Sequence, residues 1–184
     1  SPAALTPGTN LWFRTKASDT EQNFAGTAQA LSVPGRPNPV AYTIYYAAER
    51  TWEGAFSYTQ WAEDANFTIN TETGTGSVIY LTPGTSLYIR QLARPALNRF
   101  KSETFFLQVP ARPDPPVFTI DYENETTNET VPSYMFYSTN QGGSNGMDNK
   151  VQLFPGEEVR FKINSSELNQ NFASEEFVLE VPER

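Results

Sequence analysis

The chain has 184 residues, a formal net charge of −8 and neither histidine nor cysteine, which excludes serine triads, Cys–His dyads, histidine-ligated zinc and any disulfide framework. Acidity without a basic cluster argues against a nucleic-acid partner and for a surface kept soluble by mutual repulsion. Abundant aromatics (13 Phe, 9 Tyr, 3 Trp) with 14 Pro and 11 Gly between short runs describe many short strands joined by turns, and no apolar run reaches the roughly 18–20 residues of a membrane span.

The first element in chain order is a block that returns twice. Leu5-Thr6-Pro7-Gly8 opens it and Val33-Pro34 closes it, and both Leu81–Pro110 and Leu153–Pro182 align with it without a gap. Openings at 5, 81 and 153 give periods of 76 and 72 residues, the mark of a tandem array. Pro and Gly predict a turn at each opening. The strand that follows, Leu11-Trp12-Phe13-Arg14, alternates with period two. Leu11 and Phe13 are its inward pair, Leu87/Ile89 and Val159/Phe161 in the other copies, while Arg14, Arg90 and Lys162 point outward. A polar loop then carries Phe24, Phe100 or Phe172, expected to plug the open end of a core. The closing strand is Gln29–Val33, with Phe105–Val109 and Phe177–Val181 as its counterparts. Alone, residues 1–34 supply two strands and are expected to expose Leu11, Phe13, Leu31 and Val33 unless something covers them.

Closely spaced prolines follow Val-Pro, at Pro37 and Pro39 and again at Pro113, Pro115 and Pro116. They predict short, stiff module junctions. Each full module then starts with a strand, Tyr42–Tyr46 or Phe118–Tyr122, followed by polar stretches (47–54 and 123–130) that differ between modules. Residues 55–61 and 134–139 read as strands. Asn66–Asn70 alternates and predicts one more strand in the first module, with a turn at 71–76. The second module has the glycine-rich Gln141–Gly146 here, read as its tolerant loop. Helical periodicity is absent. The fold class is therefore all-β, as tandem small β-sandwich modules set end to end. The boundaries are 1–35 for the C-terminal half of a repeat, 36–110 and 111–184 for complete repeats. The chain is expected to be an excerpt of something longer.

At Leu-x-Pro-Gly-Thr running into Leu87-Tyr88-Ile89-Arg90, the module resembles fibronectin type III and related immunoglobulin-like sandwiches. The family's corner tyrosine is replaced by Leu11, Leu87 and Val159. The whole repeat, with its Val-Pro-x-Arg-Pro junction and the Phe118–Thr127 start, looks like the tandem modules of very large bacterial surface adhesins or fibres. That resemblance implies an extracellular, cell-surface shaft whose partners are adjacent repeats of the same chain and identical chains in a fibre. The alternative is a carbohydrate- or partner-binding β-sandwich module of a secreted multidomain protein.

Candidate sites are few. Asp114, Asp121 and Glu123 lie close together after a junction, where carboxylates could hold Ca²⁺, but the first module has Asn38, Tyr45 and Ala47 at those positions, and a solvated acidic edge is the plainer reading. Glu53, Glu63, Asp64 and Glu72 could pair as glycosidase carboxylates, yet the second module does not reproduce them. Trp52, Tyr58 and Trp61 could form a sugar-stacking platform, but odd and even positions of one strand face opposite ways. The sequons at Asn66, Asn124, Asn128 and Asn164 are read as chance matches, and Gln141–Gly146 lacks the Lys-Ser/Thr of a phosphate loop. No catalytic, cofactor-binding or metal residue is assigned. The expectation is a non-catalytic structural segment with no cofactor, no nucleic acid and no membrane insertion.

Overall fold

A computed structural model describes residues 4–184; the first three positions of the 1–35 half-repeat lie outside it. The described chain is all-β. Its strands are β1 (Asn10–Phe13), β2 (Gln29–Ser32), β3 (Ile44–Tyr45), β4 (Arg50–Gly54), β5 (Thr59–Ala62), β6 (Glu72–Thr73), β7 (Val78–Tyr80), β8 (Leu87–Gln91) and β9 (Phe105–Leu107). They continue with β10 (Ile120–Asp121), β11 (Thr126–Thr127), β12 (Met135–Thr139), β13 (Gly142–Asn145), β14 (Glu158–Ile163) and β15 (Phe177–Glu180). Helix is limited, among the described residues, to single 3₁₀ turns at Tyr46–Ala48 and Pro95–Leu97. No helix there is long and apolar enough to cross a membrane.

Two compact units divide the chain. The first draws on Ser1–Ala41, Gly54–Ser77 and Leu87–Leu107; it holds the β1-β2 hairpin and a sheet ordered β6-β5-β8-β9. The second draws on Tyr42–Glu53, Val78–Ser86 and Gln108–Arg184. It holds the β3-β4-β7 sheet, the β10-β11 pair and a sheet ordered β13-β12-β14-β15. Its best-formed core joins Phe118, Val131, Val151, Leu153, Val159, Phe161 and Leu179. Along β14 the alternation is plain: Val159 and Phe161 are buried while Glu158 and Arg160 face water.

The repeated block keeps one geometry in all three copies. Leu11 pairs with Leu31, Leu87 with Leu107 and Val159 with Leu179, so the register of opening and closing strands is the same each time. A one-residue slip would turn the inward pair to solvent. The opening turn places Gly8, Gly84 and Gly156 at φ of +80, +85 and +75°, a region where a Cβ is unwelcome. Each glycine N–H donates to the carbonyl of the closing proline, Pro34, Pro110 or Pro182. Leu-x-Pro-Gly and Val-Pro are thus the two sides of one clasp. Behind the loop, the Ser102 and Ser174 hydroxyls accept the Gln91 and Ile163 N–H groups, both at 2.9 Å. Where the first copy has Gly26 instead of serine, the Thr15 hydroxyl accepts the Gly26 N–H at 3.0 Å and ties the same two segments.

Several strand expectations need correction. The alternating run Asn66–Asn70 is a turn, because the Asp64 carboxylate accepts the N–H groups of Asn66, Thr68 and Ile69 and so satisfies the backbone locally. Gln141–Gly146 is not a loose loop: Gly142–Asn145 pairs with β12, and Gly143 lies where a side chain would collide with the Phe136 ring. The module-opening strands are only two residues long. In the half-repeat, Phe13 and Leu31 are exposed as expected, whereas Val33 is buried.

Candidate functional site at the repeat junction

Segments expected to differ between modules carry a repeated motif. Residues 47–54 and 123–130 share Glu-x-Thr-x-Glu: Glu49, Thr51 and Glu53 against Glu125, Thr127 and Glu129. Glu49 and Glu125 both take left-handed backbone, at φ of +51 and +52°, and their carbonyls accept the N–H of Leu81 and Leu153. Glu53 and Glu129 each accept both the N–H and the hydroxyl of a threonine, Thr43 or Thr119, at 2.7–2.8 Å. Burial raises the Glu129 pKa, but the Thr119 hydrogen bonds outweigh it and hold the carboxyl below its ordinary value. Glu53, a sequence candidate for catalysis, is therefore a structural clamp.

The remaining candidates are also accounted for locally. Asp64 caps the 64–69 turn, and those hydrogen bonds, led by the Ile69 N–H, hold its carboxyl below the usual range. Glu72 is exposed on β6 opposite Trp61, and the Glu63 N–H donates to the Ile69 carbonyl across the turn that Asp64 caps. Asp121 accepts from the Asn124 side chain at 2.9 Å and pairs with Lys150 at 3.5 Å, which lowers its pKa. Asp114 and Glu123 are exposed. Among the described residues, no group of three or more acidic side chains is placed to hold a metal ion. Trp52 stacks on Tyr45 with centroids 4.2 Å apart. Tyr58 lies outside β5, stacked 5.6 Å from Phe56 and beneath the Arg94 guanidinium. The outward Arg90 and Lys162 also lie over rings, those of Phe67 and Phe136.

What the structure does assemble is centred on Arg112, two residues after the closing proline of its block. Its guanidinium grips Glu49 in a fork of 2.7 and 2.8 Å. It also donates to the Ala173 carbonyl at 3.0 Å and pairs with Glu175 at 3.2 Å. Planar donors in a fixed fork suit such a three-way tie, where lysine would offer a point charge. Beside it the Glu167 carboxylate accepts the N–H groups of Tyr46 and Ala47 at 2.7 and 3.2 Å. Phe172, 0% exposed, packs 5.2 Å from the Tyr46 ring. Burial and the nearby Glu167 charge push the Tyr46 phenol above its ordinary pKa. Of the repeated phenylalanines expected to plug the open end of a core, Phe172 is buried against Tyr46, Phe100 is half-buried and Phe24 is exposed.

The same joint recurs in parts. Arg36 donates to the Lys101 carbonyl at 3.2 Å and pairs with Glu103 at 3.4 Å, the counterparts of Ala173 and Glu175. Arg184 pairs with Glu125 at 2.7 Å, the counterpart of the Arg112–Glu49 grip. Sequence reading singled out neither Arg112 nor Glu49 as a site, although Arg36, Arg112 and Arg184 occupy the same place after each Val-Pro and Glu49 and Glu125 align across modules.

Truncating Arg112 to alanine is expected to destabilise the second unit by roughly 1–2 kcal/mol, since its charge-assisted bonds are only partly buried. Arg112→Lys should recover less than half of that. Denaturant midpoints compare the two, and a lysine variant equal to wild type would show that the fork geometry is immaterial.

No family model, curated protein or solved structure matches this chain.

Proposed function

We propose that the chain is a non-catalytic structural segment of an extracellular bacterial fibre, stalk or adhesin shaft. In this reading it consists of small immunoglobulin-like β-sandwich repeats at 36–110 and 111–184, preceded by a half-repeat at 1–35, set end to end. The observation that carries it is the joint itself. An arginine in the same place after each Val-Pro ties the Glu-x-Thr-x-Glu segment that precedes it in the chain, the polar loop that follows it, or both. A binding module needs its site once, whereas a shaft needs its joint every time. Neighbouring repeats also supply burial that a domain of about 75 residues obtains poorly alone, since it covers only roughly 60% of its unfolded surface. A net charge of −8 keeps parallel shafts from adhering indiscriminately.

The deciding experiment is immunolabelling with antibodies raised against this chain. Intact cells of the source bacterium should be labelled, and brief external proteolysis should remove the signal. Labelling only after permeabilisation would overturn the reading. Small-angle scattering of the purified chain should report an elongated rod, as end-to-end repeats require.

A further inference from the structure

We infer that the outward face of the β3-β4-β7 sheet is a slot for a carboxylated sugar ring. Trp52 and Tyr80 are its walls and Arg50 is its contact for the carboxylate.

Strand parity builds the slot. Thr51 and Ile79 are buried, so Arg50 and Trp52 on β4 and Tyr80 on β7 project to the opposite face. Tyr45 joins them from β3, where it pairs with Arg50. On the other flank of β4 the Leu81 N–H donates to the Glu49 carbonyl, which sets Tyr80 opposite Arg50. Tyr45 covers one face of the Trp52 indole, with ring centroids 4.2 Å apart. The other face is turned toward β7, where Tyr80 is a diagonal neighbour at roughly 7–8 Å. A ring inserted between two others needs about 3.5–4 Å on each side, so the gap admits one pyranose ring. Trp52 and Tyr80 are 57% and 79% exposed.

The fold does not require these rings. At the aligned positions the second repeat has Asp121, Thr126, Asn128, Lys150 and Gln152. Its backbone is the same there, since Thr126 bridges Gln152 and the Leu153 N–H donates to the Glu125 carbonyl. Nor do adjoining repeats cover the face. Asn128, Lys150 and Gln152 are exposed with residues 36–110 before them, and Trp52 and Tyr80 with residues 111–184 after them.

Size and charge select the occupant. Two rings at these exposures present on the order of 300 Å², against about 800 Å² per partner in a stable protein interface. That is too little to hold a protein. Flat aromatic walls suit the C–H faces of a sugar, whose hydroxyls stay in water at the open edge. Arg50 then decides the charge. Its guanidinium lies 5.4 Å from the Tyr45 ring centroid and has no carboxylate partner among the described residues. It repels the cationic ligands that aromatic walls alone would attract, and it offers a carboxylate a fork of two N–H donors.

The test is an NMR titration of the 184-residue chain, read at the Trp52 indole N–H. The probes are an oligogalacturonate, an oligoglucuronate and sialyllactose, each as the free acid and as its methyl ester. At least one acid should bind saturably below about 10 mM, and which one separates a uronate polymer from a sialylated surface. Its ester should bind at least about fivefold more weakly, and Arg50→Gln should abolish that difference. Trp52→Ala and Tyr80→Ala should each weaken binding at least about tenfold, while Gln152→Ala, the same place one repeat on, should not. Tyr80 and Trp52 are exposed, so circular dichroism should show their variants folded. Failure of every acid to bind, an ester that binds as well as its acid, or a Tyr80→Ala variant that binds like wild type would overturn the inference. Surface labelling of cells reads the shaft role independently, so either idea can fail while the other stands.

Discussion

Phe161→Ala should destabilise the second unit by about 3–5 kcal/mol, the range for deleting a fully buried aromatic. Phe161 is 0% exposed and is the centre of an aromatic cluster. Phe118 stacks on it at 4.0 Å, with Tyr137 and Phe177 at 6.2 and 6.5 Å. Those neighbours come from different strands and from the segment entering β10, so collapse around the missing ring would need several elements to move together. Small domains have only about 5–15 kcal/mol of stability in total, and this chain has no cysteine to cross-link the remainder. The unit is therefore expected to lose its cooperative transition or to unfold at much lower denaturant. Val178→Ala, on the solvent side of the adjacent β15, should change stability by no more than about 0.5–1 kcal/mol. Equal losses for the two would mean that the cluster around Phe161 is not the unit's core.

How far the sequence discloses this fold depends on what satisfies the backbone locally. The Leu11/Leu31, Leu87/Leu107 and Val159/Leu179 pairs are legible because alternation and three-fold repetition reinforce each other. Asn66–Asn70 alternates as well, yet the nearby Asp64 carboxylate captures the N–H groups a strand would need. In Gly142–Asn145 the failure is reversed. Glycine suggests a loop, but β12 presents Phe136 over this strand and leaves room for little else. The arginine joint is harder still, since Arg112 and Glu49 lie 63 positions apart and no local period connects them. The sequence signal is their recurrence, at Arg184 and Glu125 one module on and at Arg36 after the first Val-Pro. It is faint because the alternate positions between Glu49 and Glu53 diverge freely.

Thr127→Val should cost the second unit about 2–4 kcal/mol, although it keeps the shape of the side chain. The Thr127 hydroxyl donates to the Glu129 carbonyl at 2.7 Å and accepts the Val151 N–H at 3.0 Å. At 0% exposure no water can replace it. Valine would leave one carbonyl and one N–H unpaired in a dry interior, and each unpaired group costs roughly 1–3 kcal/mol. Thr51 makes the same pair of bonds, to the Glu53 carbonyl at 2.7 Å and from the Ile79 N–H at 3.0 Å, so Thr51→Val should behave alike. This bond ties the Glu-x-Thr-x-Glu hairpin to the segment that leads into the repeated block, and the hairpin carries the glutamate gripped by the joint arginine. Loss of the hydroxyl should therefore also loosen the Arg184–Glu125 pair, read as faster hydrogen exchange at the Leu153 N–H, which the Glu125 carbonyl accepts. Thr127→Ser separates the two halves of the side chain. It keeps both hydrogen bonds, gives up one methyl group and should cost only about 1 kcal/mol. A valine variant more stable than the serine one would show that packing, and not the hydroxyl, holds this hairpin in place.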